Sequence, residues 1–439
     1  MKRDIQNLSV TTDSEEVINE INHFTFQLIS SGKNADAIIN AAVKCPDNLL
    51  IQCYAAVFYL YAQEDRYTLK AIPYLKNAER LLMSANQREK LIYQAVIAWQ
   101  KLDYELAITI LIAITELWPQ DCLAAKIAEW MFYCTGQAYQ AKRFLAMCKR
   151  MQKYNQLNSH FLAIYAFALE LSGQFEKSFE VATRAIEIEP NTPWAHHALS
   201  HAYLMTTQME QGIAALESFK PSWETILPAL KCHNTWHLAL FYLAELNEEK
   251  SKTLYTTELW GHAPDTVLEQ IDSISFLWRM DMAGLPQDKE WGDIGKHLGE
   301  HPVQHYTPFH NAHFIYALAK SKGSDAANQA VQQIEDYANS LSGNPYRIWH
   351  TISKPFFNGC IAFVNGDYKR ASEYLNPISE EVFCLGGSDA QDELFTQTYF
   401  VSLMKSGQQK LAMKYFRKHL SHYQNTPLGN YWHANLEKY

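Results

Sequence analysis

Six histidines of this chain form three pairs with the spacing of one helix face. The pairs are His197 with His201, His233 with His237, and His310 with His313. Residues three or four positions apart lie one above the other on an α-helix, so each pair can direct two imidazoles at one point. Neutral imidazole nitrogens bind transition metals, and imidazoles also exchange protons near pH 7. The spacing predicts either a metal site or a pair of acid–base groups.

A repeat of about 34 residues supplies helices that could position these pairs. It is clearest between residues 159 and 191, where large, small, turn and proline positions follow in the expected order at Leu162, Tyr165, Ala166, Leu169, Gly173, Ala182, Ala185 and Pro190. A second unit opens at Pro193, and tight turns are expected around Gly323, Gly366 and Gly407. The pattern predicts an all-α fold, an α-solenoid of tetratricopeptide-like helical hairpins that forms a superhelix with a concave central pocket.

The predicted solenoid has four parts along one continuous chain. These are N-terminal helical hairpins in 1–120, the most regular repeats in 121–220, an irregular helical segment with loops in 221–308, and C-terminal helical hairpins in 309–439. The first helix is expected to open with a capping box of Thr12 and Glu15. The stretch 284–308 interrupts the repeats and is predicted to cover a pocket, since long structured loops are often functional.

Composition and charge restrict the class of protein. The net charge is −9 and no basic block is present, so neither nucleic acid nor an anionic membrane is an expected partner. No apolar run reaches the roughly 18 residues of a membrane span, and the first residues do not resemble a signal peptide. The eight cysteines show no CxxC pair, which is typical of buried thiols in a reducing compartment. We therefore expect a soluble, cytoplasmic protein, whose oligomeric state the sequence does not decide.

The register of the repeats predicts which histidines face the groove, because the first helix of a tetratricopeptide repeat lines it. Inward positions are predicted for His197, His201, His310 and His313. The turn after the remaining pair, near Leu246, has no glycine, so the register leaves two alternatives, in which either His233 or His237 faces inward. At least five of the six paired histidines are therefore expected to face one groove.

Four segments keep the order and spacing of motifs in one known family. They are His197-Ala-Leu-Ser-His201, Glu210-Gln-Gly-Ile-Ala-Ala-Leu216, His233-Asn-Thr-Trp-His-Leu-Ala-Leu-Phe241 and Gly386-Gly-Ser-Asp-Ala-Gln-Asp392. Over roughly residues 85–435 the chain thereby resembles the tetratricopeptide repeat protein 38 family. The resemblance implies the fold and a site near the histidine segments, and it implies no particular reaction. This chain has Asp389 where the family carries His, and Asp392 where it carries Arg.

The first functional hypothesis is a histidine-lined central pocket that binds a small molecule through a transition metal, as a metal-dependent enzyme would. Fe, Cu, Mn and Zn are the metals considered, and imidazole suits most of them. The candidate ligands are all six paired histidines, namely His197, His201, His233, His237, His310 and His313. A carboxylate of Asp389, Glu217 or Glu269 would complete the set.

The second hypothesis needs no metal, because His201 and His237 could serve as general base and general acid. The residues predicted to contact the ligand are Trp194, Tyr203, Trp236, Asp389 and Gln391. Further aromatic residues either line the pocket or form the ordinary repeat core, and they are Phe241, Tyr316, Trp349 and Phe356. The turn before Asp389 either presents helix amides to an anion or is a plain N-cap by Ser388.

The third hypothesis is a scaffold for protein–protein interaction that binds a peptide in the concave groove, which is a common function of such repeats. Some repeats hold a peptide's terminal carboxylate with inward Lys, Arg and Asn. Here the inward positions carry histidine, Phe356, Cys360 and Gln397, which argues against that type of clamp. An open charged groove would favour the scaffold, and a closed aromatic pocket would favour the enzyme.

Overall fold

The computed structural model describes residues 1–436, which fold into α-helices joined by short turns. They form two compact units. The first combines Met1–Ala202 with Phe219–Lys231, and the second combines Tyr203–Ser218 with the chain from Cys232 onward. Within residues 1–436, the single sheet is a two-stranded antiparallel ribbon of β1 (Lys2–Arg3) and β2 (Ser9–Val10). The predicted all-α class is confirmed.

In the first unit, helices pack on their neighbours along the chain. The helices are α1 (Glu15–Ile29), α2 (Ala37–Lys44), α3 (Leu49–Leu60), α4 (Asp65–Leu81), α5 (Gln87–Gln100), α6 (Tyr104–Leu117), α7 (Cys122–Thr135), α8 (Gln137–Met151), α9 (Ser159–Glu170), α10 (Phe175–Ile188) and the start of α11 (Pro193–Met205). α5 packs on α6, α6 on α7 and α8, and α9 on α8 and α10. Contact between successive hairpins is the packing expected of a solenoid, so the predicted helical-hairpin architecture is confirmed.

The second unit follows the same order with one departure. Its helices are α12 (Met209–Phe219), α13 (Pro228–Ala244), α14 (Glu248–Leu254), α15 (Val267–Met282), α16 (Asp288–His297), α17 (Pro308–Lys322), α18 (Ser324–Ala338), α19 (Gly343–Arg347), α20 (Lys354–Val364), α21 (Tyr368–Leu375), α22 (Asp389–Lys405), α23 (Gln409–His419) and α24 (Pro427–Leu436). α15 packs on α16 and α17, and also on the distant α22. The Trp432 indole N–H donates to the Met282 carbonyl at 3.2 Å, so the end of this unit folds back on its beginning.

Glycines in the left-handed conformation turn the chain between paired helices. The turns expected around Gly323, Gly366 and Gly407 occur, with φ angles of 90°, 75° and 78°. At the turn without a glycine, Leu246 itself takes φ 48°, a conformation that side chains with a Cβ rarely adopt. The repeat can therefore keep its turn without glycine, at some cost in backbone strain.

Side-chain caps begin several helices. Ser388 caps α22 and forms a capping box with Gln391, which confirms the plain N-cap interpretation of this turn. For α1 the prediction is wrong, because Ser14 is the cap and accepts from the Val17 amide. Thr12 instead accepts a hydrogen bond from the amide of the cap residue Ser14 at 3.1 Å, and not from an amide of the first helical turn. Thr12 and Ser14 can both accept from backbone amides at the start of α1, and the sequence does not show which of the two caps the helix.

The two helices of a hairpin differ in how much of their surface they bury. We call α7, α9, α15, α17 and α22 the inner helices, since they are buried on nearly all sides. Others, such as α10, α18 and α23, bury one stripe of small or apolar residues and expose the rest. A helix without a solvent face must pair its polar side chains inside the protein.

The segment 221–308 is more regular than the sequence indicated. In place of the expected short helices it holds two long ones, α13 and α15, and α16 occupies part of 284–308. Irregular backbone is confined to short stretches such as the π-helical turn Tyr255–Leu259 and the 3-10 turn His301–Val303. That the stretch 284–308 covers a pocket is still a prediction.

The helices and the cysteines bear on two expectations drawn from the composition. None of the helices in the described part of the chain is long and apolar enough to cross a membrane. All eight cysteines are free, and seven of them are buried while Cys45 is half-buried. Most cysteines therefore act as small core residues, as predicted.

A buried ion pair joins α5 to the start of α7. The Arg88 Nε donates to Asp121 Oδ2 at 2.7 Å, and the two side chains are 2% and 1% exposed. The other carboxylate oxygen of Asp121 caps α7 by accepting from the Ala124 amide at 3.0 Å. A second buried carboxylate, Asp4, lies 3.9 Å from Arg88 Nη2. Because none of these charges reaches water, Arg88 is needed to compensate the Asp121 carboxylate.

Replacing Arg88 by Met should destabilise the protein by about 3–5 kcal/mol, because the Asp121 carboxylate would stay buried without its partner. Urea unfolding followed by circular dichroism would measure the change. Arg143→Met is the matched control, since Arg143 pairs with Glu105 at 2.7 Å while 40% exposed. That surface pair should be worth about 1 kcal/mol or less. Equal losses in the two variants would contradict the difference expected from burial.

Candidate functional site

The six paired histidines lie on three helices. His197 and His201 are on α11 in the first unit, and the other four are on α13 and α17 in the second. Five are buried, and His233 is half-buried with 17% of its side chain exposed. That the pairs face one common groove stays a prediction.

His197 and His201 point their ring nitrogens at each other. The two Nε2 atoms are 3.2 Å apart, and the residues are 2% and 0% exposed. On the opposite edge of the ring, His201 Nδ1 lies 3.8 Å from a carboxylate oxygen of Glu170, the last residue of α9. Phe167, one turn earlier on α9, lies edge-on to both imidazoles with ring centroids 4.9 Å away. His201 thus stands between a second imidazole and a carboxylate in an apolar surround.

Trp194 holds the other side of His197. Its ring stacks on the imidazole with centroids 4.3 Å apart and planes 17° apart. The indole N–H donates to Glu129 at 2.6 Å, and Glu129 pairs with Lys126 at 2.7 Å. The Lys126 ammonium also lies 3.4 Å from the centre of the Trp194 ring, a cation–π contact. Burial lowers the pKa of Lys126, and the Glu129 carboxylate opposes that effect.

The second pair has a similar environment on α13. His233 Nδ1 lies 3.1 Å from both carboxylate oxygens of Asp272 on α15. Its ring stacks on Trp236 with centroids 5.2 Å apart and planes 12° apart, and it meets the His237 ring at 4.9 Å. The guanidinium carbon of Arg279 lies 5.3 Å from the centre of the Trp236 ring.

Both four-residue pairs therefore combine the same groups. Each has two imidazoles, a carboxylate on the Nδ1 edge of one of them, a tryptophan stacked on one ring and a buried cation over that tryptophan. The Asp272 carboxylate lies within hydrogen-bond distance of His233 Nδ1, so it holds that ring in one orientation and favours the tautomer with its lone pair on Nε2. That arrangement suits a metal ligand or a general base. Glu170, at 3.8 Å from His201 Nδ1, lies beyond that distance.

The pair on α17 is held by its own helix. The His310 ring contacts the hydroxyl of the N-cap residue Thr307, and His313 Nδ1 donates to the Phe309 carbonyl at 2.9 Å. Burial lowers the pKa of His310 well below its usual range, and it lowers the pKa of His313 to about 3. Both imidazoles are therefore neutral at pH 7, as metal ligands and core histidines both require.

The remaining predicted site residues are placed as follows. Tyr203 is half-buried and follows His201 by two positions, a spacing that puts two side chains on different helix faces. Asp389 opens α22, and its carboxylate accepts from the next backbone amide at 2.9 Å. The side-chain oxygen of Gln391 accepts from the Ser388 amide at 3.1 Å, which completes the capping box.

Other candidates hold the fold together. Glu269 accepts from three successive amides, those of Gly261, His262 and Ala263, and so fixes a loop. Glu217 accepts from the Tyr242 hydroxyl at 2.8 Å. Four further aromatic residues are buried in the second unit, as the core interpretation expects, namely Phe241, Tyr316, Trp349 and Phe356.

Sequence reasoning missed the partners of the histidines. Glu170 ends the apolar run of α9, and Asp272 and Arg279 stand seven residues apart on α15, on one helix face. A charged residue inside an otherwise buried helix was the available signal, because such a residue must find a partner. Which partner it finds depends on the neighbouring helix, and no spacing in the sequence shows that.

Comparisons with known proteins do not show the family of this chain. No family model matches the chain, so its resemblance to the tetratricopeptide repeat protein 38 family stays a prediction. Among solved structures, a monomeric mutant of IFIT1 with Gppp-AAAA is similar at a TM-score of 0.44 and 15% sequence identity, over 97% of this chain and 100% of that chain. A similarity of this size carries no inference about fold or function.

His313 should make the protein acid-sensitive. Its pKa of about 3 in the folded chain lies below the value of about 6.5 expected after unfolding. The stability that it contributes is therefore present above pH 6.5 and is lost as the pH falls towards 3. Between pH 7.5 and 5 the loss is about 2 kcal/mol. In His313→Asn, the fall in the free energy of unfolding between these pH values, measured by urea unfolding, should be smaller by that amount.

The matched control is Phe314→Leu, a buried neighbour on the same helix that does not titrate. It should lower stability by the same amount at both pH values. An unchanged pH dependence in His313→Asn would show that protonation of this ring does not limit stability in acid.

Proposed function

We propose that the protein binds a small polar molecule through a transition-metal ion held by His197 and His201. The observation that carries this proposal is the 3.2 Å separation of their Nε2 atoms in a buried, aromatic environment. Fe, Cu, Mn and Zn are the metals to test.

The separation of the two nitrogens fits one shared ion. Imidazole nitrogens bind Zn²⁺ at about 2.0–2.1 Å, and ligand–metal–ligand angles of about 90–109° then put two nitrogens about 2.9–3.4 Å apart. The observed distance lies within that range. The same distance also suits a direct hydrogen bond, in which one Nε2 donates to the other. Metal titration decides between these two interpretations.

Glu170 supports the proposal as a carboxylate 3.8 Å from the second nitrogen of His201, close enough to become its hydrogen-bond partner after a small side-chain shift. It lies on the Nδ1 edge of His201, away from the nitrogen that faces His197. Histidines that bind metals commonly direct their second nitrogen to a carboxylate, which fixes the ring and makes the ligand more basic. Glu170 would therefore act through His201, and it would not bind the ion that His201 Nε2 binds.

Two imidazoles leave coordination positions open on any of these metals. Such positions take water or an oxygen or nitrogen atom of a small molecule, and the ion polarises that atom as a Lewis acid. Trp194 and Phe167 supply flat apolar surfaces next to His197. The proposed ligand is thus a small molecule with one coordinating polar group and an apolar part.

Elemental analysis and equilibrium dialysis of the protein without a tag would test the metal site. The wild type should bind close to one ion per chain of at least one of the four metals. His201→Ala should lose that binding, and Glu170→Gln should weaken it about 10- to 100-fold, the effect typical of an orienting partner.

The control for folding is His196→Gln on the same helix. His196 is buried, its Nε2 donates to the Pro190 carbonyl at 3.1 Å, and its Nδ1 accepts from the Trp223 indole at 3.2 Å. Its loss should reduce stability and leave metal binding unchanged. Equal metal binding in wild type and His201→Ala would rule the proposed site out.

One observation favours the scaffold as a second candidate function. Lys410, Met413, Lys414 and Arg417 lie on one face of α23 and line an open groove with residues of α24. The three cations are exposed, and within residues 1–436 no carboxylate lies within 4.0 Å of them. We propose, as the alternative function, that this groove binds an acidic segment of a partner protein.

Charge reversal on α23 tests this alternative. An acidic fluorescent peptide should bind the wild type, and Lys414→Glu with Arg417→Glu should weaken binding at least about tenfold, with a marked dependence on salt. Lys418→Glu is the control, since Lys418 pairs with Glu380 at 2.7 Å. Fluorescence anisotropy gives the affinities. If the double variant binds as tightly as the wild type, the groove is not the binding surface.

A further inference from the structure

Three lysine or arginine side chains are buried in the described part of the chain, namely Arg88, Lys126 and Arg279. Two of them have a carboxylate at 2.7 Å, Asp121 for Arg88 and Glu129 for Lys126. Arg279 is 3% exposed, and no carboxylate within residues 1–436 lies within 4.0 Å of it. A buried charge without a direct partner is costly, so this exception needs an explanation.

The hydrogen bonds of Arg279 leave part of its guanidinium unused. Nη1 donates to the carbonyl and the hydroxyl of Ser275, and Nη2 donates to the Ala390 carbonyl at 2.6 Å. Nε has no acceptor among the described residues. Arginine has five N–H groups, so the edge formed by Nε and Nη2 keeps donor capacity. That edge is one of those on which arginine binds a carboxylate through two parallel hydrogen bonds.

The acidic residues nearest in the fold do not supply this partner. Glu393 accepts from the Tyr423 hydroxyl at 2.9 Å and from Gln397 at 2.7 Å, and it also pairs with His422. Asp272 is engaged with His233. Burial raises the pKa of Asp392 well above its usual range, which favours the neutral form of its carboxyl. The charge of Arg279 is therefore compensated at a distance and not by contact.

We propose that Arg279 anchors a binding site for a small carboxylate in the second unit. The carboxylate would take two hydrogen bonds from the Nε–Nη2 edge and would compensate the buried charge. Arginine stays protonated even when buried, so the anion is held at any pH at which the carboxylate is ionised. This site is independent of the proposed metal site, because it uses no residue of the first unit.

The surroundings of Arg279 indicate what the rest of this ligand is like. The Trp236 ring lies under the guanidinium, and its indole N–H has no acceptor among the described residues. His313 is neutral because of burial and, to a smaller extent, the charge of Arg279. Donors and flat apolar rings favour a singly charged carboxylate over a doubly charged phosphate, which loses more hydration on burial.

The test uses the full chain and compares anions at matched ionic strength. Thermal unfolding and isothermal titration would be run with sodium acetate, benzoate and succinate, with phosphate, and with chloride as the reference. At least one carboxylate should raise the unfolding temperature and bind measurably, while phosphate should not. Arg279→Met should bind that carboxylate about 10- to 100-fold more weakly, the loss expected for a hydrogen bond to a charged group.

Three further variants make the result specific. Arg279→Lys keeps the charge but not the two-pronged edge, so its affinity should fall between wild type and Arg279→Met. Arg143→Met removes an exposed cation and should bind like the wild type. Asp392→Asn mimics a neutral acid and should also bind like the wild type; tighter binding would mean that the Asp392 carboxylate already neutralises Arg279, which would overturn the proposal.

The stability of Arg279→Met without ligand gives an independent result. If the charge has no contact partner, this variant should unfold at a urea concentration at least as high as the wild type does. A loss as large as that of Arg88→Met, or failure to fold, would make Arg279 a structural residue and overturn the proposal. So would equal stabilisation of the wild type and Arg279→Met by the carboxylates, or stabilisation of the wild type by phosphate alone.

Discussion

The inner helices are buried on nearly all sides, so each polar side chain on them needs a partner inside the protein, on its own helix or on a neighbouring one. In α9 nearly every residue is buried, from Ser159 to Glu170, and α15 and α22 are buried to a similar extent. A buried polar group without a partner costs about 1–3 kcal/mol, and a charged one costs more. This requirement explains the bifurcated contact of His233 Nδ1 with both oxygens of Asp272 and the approach of His201 to Glu170.

The same requirement gives histidines at ordinary repeat positions the properties of a binding site. A histidine that must remain neutral and fixed inside a protein has one tautomer and one orientation, which are also the properties of a good metal ligand or base. Trp194 and Trp236 suit both the fold and a binding site, because each buries a large surface and carries a cation on one face. A structural and a functional role are therefore compatible at these positions. A functional role additionally requires a ring nitrogen that the fold does not need for its own hydrogen bonds.

Charge compensation distinguishes the three buried cations. Arg88 and Lys126 have their partners in contact, Asp121 at the start of α7 for Arg88 and Glu129 one turn along α7 for Lys126. Arg279 has no carboxylate in contact, because Asp272 and Glu393 are engaged elsewhere and burial favours the neutral form of Asp392. A fold can tolerate one such site if the rest of the core is well packed, and natural proteins keep such costs mainly where a ligand compensates them.

The sequence by itself determined the helical-hairpin architecture, most of the turns and the three histidine pairs, because these depend on periodicity and on residues close together in the chain. It also showed that most cysteines are core residues. The tertiary structure decided which helices lack a solvent face, which carboxylates lie beside His201 and His233, and that Arg279 has no carboxylate in contact. These relations join residues such as His201 and Glu170, or His233 and Asp272, which are 31 and 39 positions apart. They follow from the packing of whole helices, and the spacing of residues along one helix does not contain that information.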